Sequence, residues 1–331
     1  MAHRVREQVA AKDAARYRQQ YEAAKDQVVM LVKTAYYSLA FVDLAMDIND
    51  EERLLLDHYE KLAEARYQQG SGLQQAVVKL QAEITRTQNK LEELRARRVD
   101  AEASLNALMN RPAETPIPRI KLPPVPAAKI DLKQLYQEGR RNRPEILASL
   151  LEIERDDKRI DLARKDRWPS FSLGGSFVNV VGREVAPGAM PIDSNGMNVV
   201  SFNLGINLPI HRGKYDAEVA EATEAKIACT RGYQDTVNAV ESSIRDVGFR
   251  IDTLREQMAL FNTTLIPQAQ QSLASAEAAY STGSLGVLDL LDSERVLLDV
   301  RLGLAQLITD YMKSLAGMER AIGAPFPEVR P

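Results

Sequence analysis

Two aspartates three residues apart, Asp289 and Asp292, are the clearest pair of chemically capable groups in this 331-residue chain. On a helix that spacing puts both carboxylates on one face. Acidic residues in the first turn of a helix also complement its dipole, worth roughly 0.3–1 kcal/mol each. From the residues alone, that reading suffices. Groups for bond-making chemistry are otherwise scattered. His3, His58 and His211 have no metal-ligand spacing. Gly70-Ser71-Gly72 lacks the lysine of a phosphate loop, and Arg212-Gly213-Lys214 lacks its glycine spacing. Cys229 is the only cysteine, so no internal disulfide forms. Arg95, Arg97 and Arg98 read as a solvated helix face. No catalytic site, metal site or cofactor is expected, and the chain is not expected to be an enzyme.

The elements that carry these residues are mostly helices. Apolar residues make up 45% and charged residues 27%, ordinary values that argue against disorder. Aromatics are only 6%, and Ala, Gln, Glu, Leu and Arg recur, as in long helices. A net charge of -3 points to no nucleic-acid partner. No continuous run approaches the 18 or so apolar residues of a transmembrane helix, and no signal peptide is visible.

Three-four spacing predicts a helix from residue 4 to about 68, loosened locally at Asp47 to Asp50. Gly70-Ser71-Gly72 breaks it. A second helix is expected over about 73–109, ending before Pro112. Six prolines in 112–128 mark an extended connector. A short helix follows over 131–139. Another opens at Pro144, with Asn142 or Arg143 as its cap, and stops before Trp168-Pro169. The period then changes to two. Phe171, Leu173 and Phe177 alternate with Ser172, Gly174 and Ser176, and Phe202, Leu204, Ile206 and Leu208 alternate with small or polar residues. Between the two strands lies a loop rich in Gly and Pro (Gly182, Pro187, Gly188, Pro191, Gly196). The helical period returns over about 214–280, with a bend at Pro267, which at ~1.5 Å per residue spans roughly 100 Å. A last helix covers about 287–322, ended by Pro325 and Pro327.

Two segments align without a gap. Residues 63–71 match residues 276–284 at six of nine positions, with Tyr67 on Tyr280, Gly70 on Gly283 and Ser71 on Ser284. The same offset carries Pro112 onto Pro325. Helix, glycine turn, helix and proline therefore occur twice, as one duplicated unit. Only the second copy is preceded by a helix and a strand pair. Symmetry predicts a counterpart of both ahead of Met1, so the chain reads as lacking the N-terminal part of a longer protein.

At this point the chain resembles the TolC-like outer-membrane efflux proteins over essentially its whole length. The resemblance is carried by Arg143-Pro144-Glu145-Ile146, Leu208-Pro209-Ile210 with Gly213, and Tyr280-x-x-Gly283 followed by Asp289-Leu290-Leu291-Asp292. It implies a mainly α fold: an α-barrel protomer of long antiparallel helical hairpins, internally repeated, with a transmembrane β-hairpin. The expected segments are a first-repeat helical hairpin (1–110), an equatorial connector (111–143), a helix of the second repeat (144–169), the β-hairpin (170–210), a second-repeat helical hairpin (211–323) and a tail (324–331).

The resemblance further implies a homotrimer in the bacterial outer membrane with a long periplasmic portion. It would act as a passive exit duct coupled through a periplasmic adaptor (membrane fusion) protein to an inner-membrane pump. Each protomer of the family gives four strands to a shared twelve-stranded barrel. Two strands per chain would give six, below the ~8 of the smallest membrane barrels, so this polypeptide alone is not expected to form the native channel. Phe171, Leu173, Phe177, Phe202, Leu204, Ile206 and Leu208 would face outer-membrane lipid, with Trp168 at the interface. Tyr67, Gly70, Ser71, Tyr280, Gly283 and Ser284 would form the periplasmic tip that meets the adaptor. Asp289 and Asp292 match paired aspartates that line the periplasmic aperture, where crowded carboxylates would favour cations. Leu285 stands where the family's latch has an arginine, and Ala76 where it has an aspartate. A looser latch follows. The alternative is a soluble coiled-coil scaffold without a pore, for which a period-two apolar face has no use.

Overall fold

The computed structural model describes residues 2–126, 130–182, 190 and 196–326. Pro187, Gly188 and Pro191 of the inter-strand loop, and Pro327, lie outside the described residues. In chain order the elements are α1 (Ala2–Gln68), α2 (Gln74–Leu108), α3 (Leu132–Asn142), α4 (Pro144–Lys165), β1 (Ser170–Val178), β2 (Val199–Asn207), α5 (Arg212–Leu260), a π-helical turn (Phe261–Leu265), α6 (Ile266–Thr282) and α7 (Val287–Ile322). The chain divides into two units. One holds residues 1–18 and 148–235, the other residues 19–147 and 236–331.

The expected loosening of α1 at Asp47 to Asp50 does not occur. The helix runs unbroken for 67 residues. Short polar side chains weaken helices by competing for nearby backbone groups. Here they are engaged in ways that leave the helix intact. Asp47 pairs with Arg119, and Asn49 Nδ2 donates to the Ala45 carbonyl at 2.7 Å. By composition alone, one 18-residue window of α1 is apolar enough to cross a membrane, with a mean hydropathy of 1.5. The apolar positions around it divide. Leu39, Ala40 and Val42 are buried, whereas Val28, Val29 and Leu31 are exposed.

The single helix expected over 214–280 is instead α5, the π turn and α6. Proline lacks an N–H and cannot close an i to i−4 bond. The register slips just ahead of Pro267, where Ile266 N–H bonds the carbonyl of Phe261, five residues back. Pro267 then falls in the first turn of α6, where no bond is lost. Gly303 of α7 leaves room for Phe261: a Cβ there would stand 2.9 Å from the ring.

The proline-rich connector bonds to helix side chains. Asn106 Nδ2 donates to the carbonyls of Ala113 and Thr115 at 3.2 and 2.8 Å. Arg98 donates to the Ile117 carbonyl, and Ile120 N–H to Asp43. These contacts supply partners for a backbone that forms no ladder of its own. Pro144 opens α4 as expected, with Arg143 in an extended conformation before it. In the first unit, the N-terminal part of α1, α4 and the first part of α5 are linked by ion pairs. Arg155 contacts Asp13 and Asp156, and Lys226 contacts Asp157.

The duplication reaches the hydrogen bonds. After α1, Gly70 N–H bonds Tyr67 O, while Ser71 and Gly72 N–H bond Arg66 O. After α6, Gly283 N–H bonds Tyr280 O, while Ser284 and Leu285 N–H bond Ala279 O. Gly70 and Gly283 sit at φ 71° and 80°, the left-handed region that glycine enters without steric cost. The second helix of each copy ends alike. Asn110, at φ 54°, occupies the place that Gly323 takes at φ 67°. The αL cap at Gly323, rather than the prolines beyond it, therefore ends α7.

Candidate functional site: a paired helical tip and an apolar β-hairpin

Both glycine turns lie in the second unit and come together. The helix ends below them share a core that includes Tyr59, Leu80, Leu273, Tyr280 and Leu290. Leu285 and Ala76 are partly buried and pack against this core. Between the turns lies a groove of about 460 Å³, bordered by Arg66, Ser71, Leu73 and Lys79 on one side and Gly283, Ser284, Leu288 and Asp289 on the other. Ser71 and Ser284 donate their hydroxyls to the carbonyls of Arg66 and Ala279, five residues back in each case. Their first role is to close the turns.

The two tyrosines of the repeat differ. Tyr67 is exposed, whereas Tyr280 is only 5% exposed. Tyr280 shapes the tip from within. The Arg66 guanidinium lies 4.7 Å over its ring and donates to the Ser281 carbonyl. Burial pushes the Tyr280 phenol up, and Arg66 opposes that shift. A second tie between α1 and α6 is the Tyr59 hydroxyl, which donates to Glu277. Sequence reasoning missed Arg66 because its equivalent in the second copy is Ala279.

Asp289 lies in the first turn of α7 and Asp292 one turn further on; both are exposed. Neither carboxylate has an ion-pair partner among the described residues. Arg295, on the same helix, is spent on Glu83 of α2. Both carboxylates therefore face solvent.

In the first unit, β1 and β2 pair antiparallel in a register that brings like with like. Phe171 faces Ile206, Leu173 faces Leu204, Gly175 faces Phe202 and Phe177 faces Val200. Alternate pairs point to one face of the sheet, so these four form one apolar surface. Ser172–Gly205, Gly174–Asn203 and Ser176–Ser201 form the other face, where the two serine hydroxyls meet at 2.7 Å. Nearly the whole hairpin is exposed, with Leu173 at 82% and Phe202 at 81%. Leu208 lies one residue beyond β2, and Trp168 just ahead of β1 is 75% exposed.

An exposed apolar β-hairpin with nine-residue strands and a duplicated, glycine-capped helical hairpin define a class of protein that combines a bare apolar sheet with long paired helices. Known proteins agree. Residues 135–324 match the outer membrane efflux protein family. The outer membrane protein TolC of Vibrio cholerae is 24% identical over 194 residues, covering 57% of this chain and 43% of that protein. Among solved structures, the outer-membrane channel OprN has a TM-score of 0.80 at 18% identity, covering 98% of this chain and 72% of that one. The outer membrane protein VceC from Vibrio cholerae has a TM-score of 0.77 at 19% identity, covering 98% and 77%. The chain belongs to the outer membrane efflux protein family and has the fold of its channel structures. It spans about half the length of the curated relatives it matches.

Proposed function

We propose that this chain is the channel component of a tripartite efflux or secretion system, a passive exit duct across the outer membrane and periplasm. The observation that carries the reading is the β-hairpin. Its paired apolar residues form one surface that is exposed among the described residues. Exposed apolar surface of that kind is a liability in water and an asset in lipid. The strands are nine residues each, close to the ~9–11 that a tilted membrane strand needs.

Assembly as a homotrimer is part of the proposal. Support comes from the apolar stripe that α1 leaves exposed in a single chain, Val28, Val29, Leu31 and Tyr36, which a second copy would cover. The groove between the two turns, with Tyr67 exposed beside it, would receive the adaptor, which in turn contacts the inner-membrane pump. Gly70, Ser71, Gly283 and Ser284 hold the turns in shape for that contact, and Tyr280 does so from inside. Asp289 and Asp292 would line the periplasmic aperture and favour cations there.

The test is flotation with phospholipid vesicles. The full chain should float, and Leu173→Asp with Leu204→Asp should leave it in the dense fraction with its helix content unchanged. A wild type that stays in the dense fraction would remove the lipid-facing assignment and leave a soluble scaffold as the reading; equal flotation of both would assign the lipid contact to a surface other than the hairpin.

A further inference from the structure

In the second unit, α1, α2 and α7 border a cavity of about 180 Å³ a few turns from the tip. Two carboxyl groups that no motif singles out face it, Glu52 of α1 and Glu294 of α7. They are 7% and 3% exposed, and neither has a hydrogen bond or ion pair among the described residues. The surrounding cations are occupied elsewhere. From α2, Arg86 bonds Glu83 and Lys90 bonds Glu93; from α7, Arg295 bonds Glu83 and Arg301 bonds Glu51. An unpaired carboxylate is costly to bury, whereas a neutral carboxylic acid is not. Desolvation pushes the Glu52 carboxyl up to about 7, with the Glu83 charge adding and Arg301 opposing.

We propose that this cavity is a proton-binding site, in which Glu52 holds a proton while α1, α2 and α7 are packed together and releases it when they part. Glu294 borders the same space, so any water admitted there meets a second carboxyl group. The groups that face or flank the site are Glu51 and Glu52 from α1, Glu83, Arg86 and Lys90 from α2, and Glu294, Arg295 and Arg301 from α7. A carboxyl raised on folding makes the packed state bind more protons than the unfolded one. Packing is therefore favoured at low pH and weakened as pH rises from about 4.5 towards 7. The inference does not depend on the channel reading.

The test is thermal unfolding of the full chain in one detergent at pH 5 and pH 8, alongside Glu52→Gln, a neutral stand-in for the protonated acid. The wild type should lose more of its melting temperature between the two pH values than the variant. At pH 8 the variant should be the more stable, by on the order of a hundred-fold in its folding constant. Equal losses in both would overturn the proposal. Should Glu52→Gln fail to fold, the infrared carboxylic acid band of the wild type is the second measurement. A band that titrates near neutrality supports the site, and its absence refutes it. Stabilisation at pH 8 by added Ca²⁺ that Glu294→Gln abolishes would also overturn it, in favour of a cation.

Discussion

The guanidinium of Arg66, at the end of α1, lies 4.7 Å over the ring of Tyr280, at the end of α6, and ties the two helical hairpins together at their turns. The same group donates to the Ser281 carbonyl. A cation over an aromatic face contributes about 0.5–1 kcal/mol at a partly exposed site, and a hydrogen bond about as much again. Arg66 thus links the first hairpin to the second across the paired turns. Arg66→Ala should cost about 1–2 kcal/mol locally. Amide hydrogen exchange should quicken at the C-terminal end of α6 while α4 is unaffected. Unchanged protection in α6 would show that the core alone holds the tip.

The cap positions separate by backbone geometry. Gly70→Ala and Gly283→Ala force a Cβ into the left-handed region, at roughly 1–2 kcal/mol each. Gly72→Ala meets a different obstacle: its Cβ would stand 2.9 Å from that of Arg66. At Asn110 the sign reverses. The residue already sits at φ 54°, so Asn110→Gly should be neutral or slightly stabilising. Urea unfolding of the four variants should rank them in that way. A destabilised Asn110→Gly would mean that its side chain, not its backbone, ends α2.

The aperture assignment predicts a change in selectivity rather than in stability. Asp289 and Asp292 are exposed and take part in no ion pair among the described residues, so Asp289→Ala with Asp292→Ala should cost the fold no more than the dipole contribution of about 0.3–1 kcal/mol each. In planar bilayers, channels formed by the complete trimer should lose cation selectivity. Unchanged reversal potentials in a salt gradient would leave only the dipole role.

Cys229 should be a poor nucleophile. Its thiol donates to Asp156 at 3.0 Å, and burial together with that carboxylate pushes it up to about 11. Only the thiolate attacks, so alkylation should be slow at pH 8 and rise steadily until the pH passes that value. Denaturant should speed it at pH 8. Removing the nearby charge with Asp156→Asn should lower the thiol's pKa and raise the rate at pH 8. Rapid alkylation of the folded wild type at that pH would contradict the Asp156 contact.

Local pattern alone determined the elements and their punctuation. The periods of 3.6 and 2 placed α2, α7 and both strands within a residue or two. The duplication was legible because a turn needs a glycine at a fixed place whatever surrounds it: Gly70 and Gly283 follow their helices in the same register. The strand faces were legible too, since alternation predicts sidedness without knowing the partner strand. Partnership was left to the tertiary structure. Arg66 and Tyr280 are 214 residues apart, and no periodicity relates an arginine to a ring on another hairpin. The stretch from Asp47 to Asp50 read as a loosening of α1 because the connector that carries Arg119, the partner of Asp47, is far away in sequence. The fit of Phe261 beside Gly303, next to the π turn, joins residues far apart in sequence. No motif or spacing singles out Glu52 and Glu294. Only packing α1, α2 and α7 together took most of their surface out of water, because burial is decided by what three helices share and not by the sequence of any one.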